Sequence, residues 1–275
     1  MPAPRRVAIT LVLVLLAGVA GLFGARWVSS ALSDPVCEFR LDDRTERKSP
    51  EQSANAATMS VIAVQRGLPP RAATLAIATA IQESKLRNIT YGDADSIGLF
   101  QQRPSQGWGS EEEILDPVYA TNQFYDALIE VPGWQDGVIT EVAQSVQRSA
   151  YPAAYADHEW EGRVMASTLT GQTPASMGCD LDAAEDPGDP AGVAASLQAL
   201  GMGASSDGTR VTVQANSSES AWSAATWAVA NAESRAVVAV SVDGRTWSRD
   251  EDPLTWSEGG DAEAGETTVI ITVAN

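Results

Sequence analysis

Glu83 is the residue whose setting points most directly to chemistry. It closes a stretch, Leu75, Ile77, Ala78 and Ile81, that reads as a largely buried helix. A carboxyl among apolar neighbours has its charged form disfavoured and its pKa raised. A Glu protonated near neutral pH is what a general acid for glycosidic-bond cleavage requires. The competing reading is a solvated Glu at a helix end. Asp93 and Asp95 follow in a turn-rich stretch. Either could be the second carboxylate with which a hydrolase activates water or attacks directly; otherwise they are turn residues or caps. Trp108, between Gly107 and Gly109, is the best candidate for covering the apolar face of a sugar, with core packing as the alternative. Tyr91, Tyr119 and Tyr151 are secondary stacking candidates.

Composition narrows the field further. The chain has 275 residues, with 36 acidic against 18 basic side chains and a net charge of −18. That balance excludes a nucleic-acid binder built on clustered Lys and Arg, and it opposes docking on an anionic membrane face. The single His158, on a solvated helix face, leaves no His-rich metal site, and Cys37 with Cys179 cannot form a Cys-based zinc site alone. Asp93-Ala94-Asp95-Ser96-Ile97-Gly98 departs from a calcium loop, because Ile97 stands where a ligand belongs and Pro104 replaces the closing Glu. No metal and no organic cofactor is implied.

The elements that position these groups follow from caps and periodicity. Ser49-Pro50-Glu51-Gln52 reads as a helix start with a capping box, and Gly67 as its stop. Pro69-Pro70 restarts the chain into the helix ending at Glu83. Ser110 with Glu113 is a second capping box, and Asp116-Pro117 an N-cap followed by Pro. Helices are predicted from there to about Glu130, around Val138 to Val146, and from Tyr155 to Leu169. Residues 38–48 read as a polar tether, and no strand alternation appears between 50 and 172. Asp180 to Pro190, acidic and without a base, reads as a linker. Beyond it come a short helix at Val193–Leu200, a strand at Arg210–Val213, Trp222 to Ala232 at helical spacing, a hairpin around Asp243-Gly244, and a strand at Thr267–Val273.

Gln82-Glu83-Ser84-Lys85-Leu86, followed by Asp95-Ser96-Ile97-Gly98-Leu99-Phe100-Gln101-Gln102-Arg103-Pro104, resembles the lysozyme-like lytic transglycosylases over roughly residues 50–172. The resemblance implies that Glu83 is the catalytic acid/base and that Ser96, Gly98 and Gln101 line a glycan cleft. The later Tyr-Asn-aliphatic-Gly segment usual in that family is absent. Gln144 and Gln147, three apart on one predicted helix face, stand in the corresponding region and could offer similar amide donors. Trp222 to Glu233 with Val240 to Trp247 looks like a small domain common in actinobacterial envelope proteins.

Val7 to Ala25 carries no charge and, as a helix, would reach about 28 Å, close to the hydrocarbon thickness of a bilayer. With Arg5 and Arg6 before it and Arg26 after it, it reads as a signal anchor with the rest of the chain outside; a cleaved signal peptide with a secreted product is the alternative. In that oxidising setting Cys37 and Cys179 are expected to form a disulfide across the first folded segment. The expected organisation is therefore a transmembrane segment (1–34), a mainly α lysozyme-like domain (35–179), an acidic linker (180–190) and a small α+β domain (191–275). The expected function is cleavage of peptidoglycan glycan strands by a membrane-anchored enzyme, with no protein partner indicated. A non-catalytic peptidoglycan-binding or scaffold protein is the alternative.

Overall fold

Local signals set most helix starts. In this computed structural model, which describes residues 34–147 and 152–275, helix α1 (Pro50–Gln65) begins with the Ser49/Gln52 capping box complete in both directions. Helix α2 (Pro70–Ser84) begins at the second Pro of the pair and stops where Lys85 turns left-handed, with φ 57°. The Ser110/Glu113 box opens α3 (Glu111–Ile114), and the Asp116 side chain caps α4 (Pro117–Ile129) by accepting from the Val118 N–H. Then come α5 (Ile139–Gln147), a 3₁₀ segment at Pro152–His158, and α6 (Glu159–Leu169).

Alanines dominate the buried face of α2, and small side chains let another helix come close. At Gly162 of α6 an added Cβ would meet the Thr74 carbonyl oxygen at 2.8 Å and the Ala78 Cβ at 3.2 Å. These two helices therefore pack almost backbone to backbone.

The expectation of a mainly α first domain is corrected by a three-stranded antiparallel sheet, in the order β2-β1-β3. The segment expected as a tether forms β1 (Val36–Leu41) and β2 (Arg44–Lys48), and β3 (Met177–Asp180) closes the sheet. The physical reason is that this hairpin is held by charge as well as apolar burial. Glu38 faces Arg47 across the strands and accepts from its Nε at 2.8 Å, while Cys37 and Phe39 enter the core. Cys37 and Cys179 are register partners on β1 and β3 and are joined by a disulfide.

The second sheet is also antiparallel, with order β4-β5-β9-β6-β7-β8. Its strands are β4 (Gly203–Asp207), β5 (Arg210–Gln214), β6 (Val237–Val242), β7 (Arg245–Ser248), β8 (Ser257–Glu258) and β9 (Thr268–Val273). Asp243 and Gly244 both take positive φ in the β6–β7 turn, as the hairpin signal predicts. Helices α7 (Pro190–Ala199) and α9 (Ala232–Arg235) flank α8 (Ser218–Ala230), which is buried almost along its whole length. One side of α8 lies on β6 and β9, the other on α1 and α6. Ser223 Oγ of α8 donates to the Leu169 carbonyl at 2.8 Å, and Trp256 Nε1 to the Met177 carbonyl at 2.7 Å. Val36 to Asn275 accordingly form one compact unit. Residues 180–190 run along its surface, held by Gly188 N–H to the Ala274 carbonyl and by Arg249 Nε to the Asp182 carbonyl. The architecture is thus mixed helix and sheet rather than mainly α.

Among the described residues no helix is long and apolar enough to cross a membrane. The expected anchor, Val7 to Ala25, lies outside the described residues, so the single-pass membrane placement read from the sequence has no support in the structure and is withdrawn.

The disulfide ties the first strand of the compact unit to a strand far along the chain. Replacing Cys37 and Cys179 together with Ser is expected to lower the unfolding free energy by about 2–5 kcal/mol. A urea titration of both proteins reads this as a fall in midpoint at unchanged slope; an unchanged midpoint would show that the sheet holds without the bridge.

Candidate functional site

Glu83 occupies the last turn of α2, half-buried, where the apolar helix meets the 96–103 loop. Its Oε1 accepts a hydrogen bond of 2.5 Å from the phenol of Tyr155, a fully buried side chain of the 3₁₀ segment. The Gln147 side-chain amide, at the end of α5, is its second hydrogen-bond partner. Burial pushes the Glu83 pKa above the ordinary carboxyl value, while the two donors pull it back by favouring the ionised form. Desolvation is the larger effect, so the carboxyl holds its proton to higher pH than a free Glu.

The loop after Glu83 is folded around two buried plugs. Leu99 and Phe100 are inaccessible to solvent, and Phe100 stacks on Phe124 with ring centroids 4.6 Å apart. Their carbonyls face the site. Ser84 Oγ donates to the Leu99 carbonyl at 2.8 Å, and Gln147 Nε2 to the Phe100 carbonyl at 2.6 Å. The residue after Glu83 and the amide beside it therefore both grip the same dipeptide. A short bridge between Ile97 and Gln102 closes the loop. Gly98 makes that closure feasible: its φ is 77°, and a Cβ there would meet the Ile114 carbonyl oxygen at 2.8 Å.

Several residues expected to line a glycan cleft serve the loop itself. Ser96 is buried, and its hydroxyl accepts from Arg103 Nε at 2.8 Å. Gln101 Nε2 reaches the Tyr91 carbonyl at 3.3 Å, and its Oε1 sits where a Cβ on Gly92 would be. Asp93 is exposed and pairs with Arg103 at 2.7 Å. Asp95 accepts from the Ser105 N–H and hydroxyl, at 2.8 and 2.9 Å, and these bonds hold its pKa below the usual carboxylate range. Neither Asp is among the groups that set the state of Glu83. Gln144 is half-buried on α5 and is itself engaged. Tyr151 lies outside the described residues.

Gln147 joins Glu83 to a neighbouring cavity. With Trp108, Gln106, Pro132 and Val146 it lines a space of about 720 Å³ between α4, α5 and the 106–108 turn. Trp108 is half-buried and packs against the core while presenting part of its ring there. No protein-family model matches this chain. No curated protein matches it in sequence either. The site is therefore read from its own geometry, and the lysozyme-like label gains no support from relatives.

Tyr155 is the partner of Glu83 that the sequence alone does not single out. The sequence pattern predicts a helix starting at Tyr155, whereas the chain there is a 3₁₀ segment that turns the phenol toward Glu83. The only sequence signal was general: a buried Tyr needs a partner for its hydroxyl. The C-terminal tryptophans are all core: Trp222, Trp227, Trp247 and Trp256 are buried, and none forms an open glycan-contact surface.

Removing the phenol hydroxyl in Tyr155→Phe is expected to raise the Glu83 pKa further, because the lost donor favoured the carboxylate. A raised folded-state pKa contributes stability that is fully present below the unfolded value and lost as pH rises through the folded one. Tyr155→Phe should therefore be nearly neutral at low pH and cost about 1.5–3 kcal/mol above the Glu83 titration. Carboxyl-carbon NMR shifts of Glu83 against pH, with urea unfolding at both ends of the range, measure the two effects. In the same loop, Gly98→Ala is expected to cost about 1–3 kcal/mol through its left-handed backbone and the Ile114 clash, read as a lowered thermal midpoint.

Proposed function

We propose that this protein cleaves β-1,4 glycosidic bonds in peptidoglycan-type glycan strands, with Glu83 as a single general acid/base in the manner of a lytic transglycosylase. The observation that carries this reading is the Glu83 carboxyl: half-buried, with a raised pKa, and hydrogen-bonded to Gln147, which lines a cavity together with Trp108. Asp93 and Asp95 support the single-acid form of the reaction, because each is committed to a partner in the 93–105 loop.

In that mechanism Glu83 gives its proton to the glycosidic oxygen as the bond from the anomeric carbon breaks. The acetamido carbonyl oxygen of the same sugar attacks the anomeric carbon and carries the positive charge. The sugar's 6-hydroxyl then displaces it, forming a 1,6-anhydro ring, and its proton passes to the Glu83 carboxylate. Tyr155 and Gln147 stabilise that carboxylate between the two proton transfers, while the apolar end of α2 keeps it basic enough to take the proton back. Trp108 would cover a sugar face in the adjoining cavity.

Glu83→Gln keeps the shape and removes the titratable proton. It is expected to fold normally and to lower turnover on purified sacculi by about 10²–10⁴-fold. Asp93→Asn and Asp95→Asn should retain turnover, and mass analysis should find 1,6-anhydro ends. Reducing ends, with loss of activity in one Asp variant, would make the protein a hydrolase. Wild type and Glu83→Gln equally inert, with both retained on sacculi, would make it a glycan-binding protein instead.

A further inference from the structure

A cavity of about 910 Å³ lies away from Glu83, between the 182–189 strap and the end of α9. Arg235 and Arg249 are among its lining residues. Arg249 is 6% exposed, and its bonds all go to neutral carbonyls: Asp182 at 2.6 Å, Ala232 at 3.0 Å and Val237 at 3.3 Å. Arg235 lies over the Trp227 ring at 5.2 Å, donates one long bond of 3.4 Å to the Gly192 carbonyl, and has a buried Nε without an acceptor. A guanidinium carries five N–H donors, so much of the donor capacity of this pair is unused. Among the described residues neither Arg has a carboxylate within ion-pair distance, and burial pushes the pKa of both downward.

The rim has the opposite character. Asp182, Glu185, Asp186, Asp189 and Glu233 border the same cavity and are exposed. Asp189 acts on Arg235, and Asp250, outside the cavity, with Glu233 and Asp182 on Arg249, through space rather than by contact. The cavity is therefore dipolar, with cationic donors inside and carboxylates at the mouth. A simple anion would meet the rim's repulsion, and a simple cation would meet the two guanidiniums. A molecule with a carboxylate at one end and an ammonium at the other satisfies both.

We propose that this cavity binds the zwitterionic form of an amino acid or short peptide, its carboxylate on Arg235 and Arg249 and its ammonium among the Glu185, Asp186 and Asp189 carboxylates. The inference is independent of the glycosidase reading, because no residue of the Glu83 site takes part. Charge-assisted bonds from a guanidinium to a carboxylate supply the orientation, and the rim supplies the discrimination.

The test is an NMR titration of the full chain with alanyl-alanine, N-acetyl-alanyl-alanine and alanyl-alanine amide. The free dipeptide should shift the backbone amides of Gly188, Ser234 and Ala236 saturably. Each blocked form should bind at least about tenfold more weakly, having lost one charged contact. Arg235→Gln should weaken the free dipeptide similarly. Because Arg235 touches the core, the Glu185→Gln/Asp186→Asn double variant, confined to exposed side chains, is the second arm and should also weaken it. Glu83→Gln should bind as wild type does. Absence of a saturable shift with the free dipeptide overturns the proposal. Equal binding of the acetylated form, which would mean a plain anion site, overturns it too, as does equal binding of the amide, which would mean an acidic rim alone.

Discussion

The contact between α2 and α6 governs the geometry on which the candidate site depends. Because position 162 carries no side chain, α6 presses against the Thr74 carbonyl and Ala78 of α2. Glu83 rides at the end of one of these helices, and Tyr155 sits in the 3₁₀ turn that leads into the other. A hydrogen bond of 2.5 Å between them leaves little room for the helices to separate. Packing density in the alanine-rich core thus becomes positional accuracy at a polar pair, since cores resist even methylene-sized changes. Any larger residue at 162 would act on the Glu83 site without touching it.

Opposed electrostatic effects meet at that carboxyl. Its apolar surroundings favour the neutral form, and Tyr155 and Gln147 favour the charged one. A group used as acid in one step and base in the next needs neither state too stable. The same loop shows the contrasting case. Asp95 is doubly hydrogen-bonded by Ser105, and those bonds outweigh a smaller desolvation, so its ionised form is favoured. Two carboxylates a short way apart in sequence thus have different chemistry because one is desolvated and the other is bonded in water.

What was legible in the sequence was what is encoded locally. The capping boxes at Ser49 and Ser110, the Asp116 cap and the Asp243-Gly244 turn each involve residues within one turn of chain, and each is present. The β1–β2 hairpin was not legible, because Arg44–Lys48 has no apolar alternation and its register rests on partners such as Glu38 and Arg47 across the strands. The short strand β3 makes sense only beside β1, far away in sequence. At the site, Glu83 could be singled out from its apolar helix. The work of Ser96 and Gln101 inside the loop could not, because it depends on where Arg103 and Tyr91 arrive. Tyr155 was hidden for the same reason.

The strand order of the large sheet bears on how the chain acquires its structure. β9 follows every other described strand in sequence, yet it lies in the interior of the sheet, hydrogen-bonded to β5 on one side and β6 on the other. Until it is in place, β5 and β6 each present an open edge, and α8 has only part of its floor. Open edges of this kind invite pairing with other chains. A chain emerging from the N-terminal end therefore cannot complete this sheet stepwise. Folding of the compact unit must wait for long-range closure, which is slow compared with forming local helices. During that interval the β5 and β6 edges are the places where a chaperone or a neighbouring copy would bind.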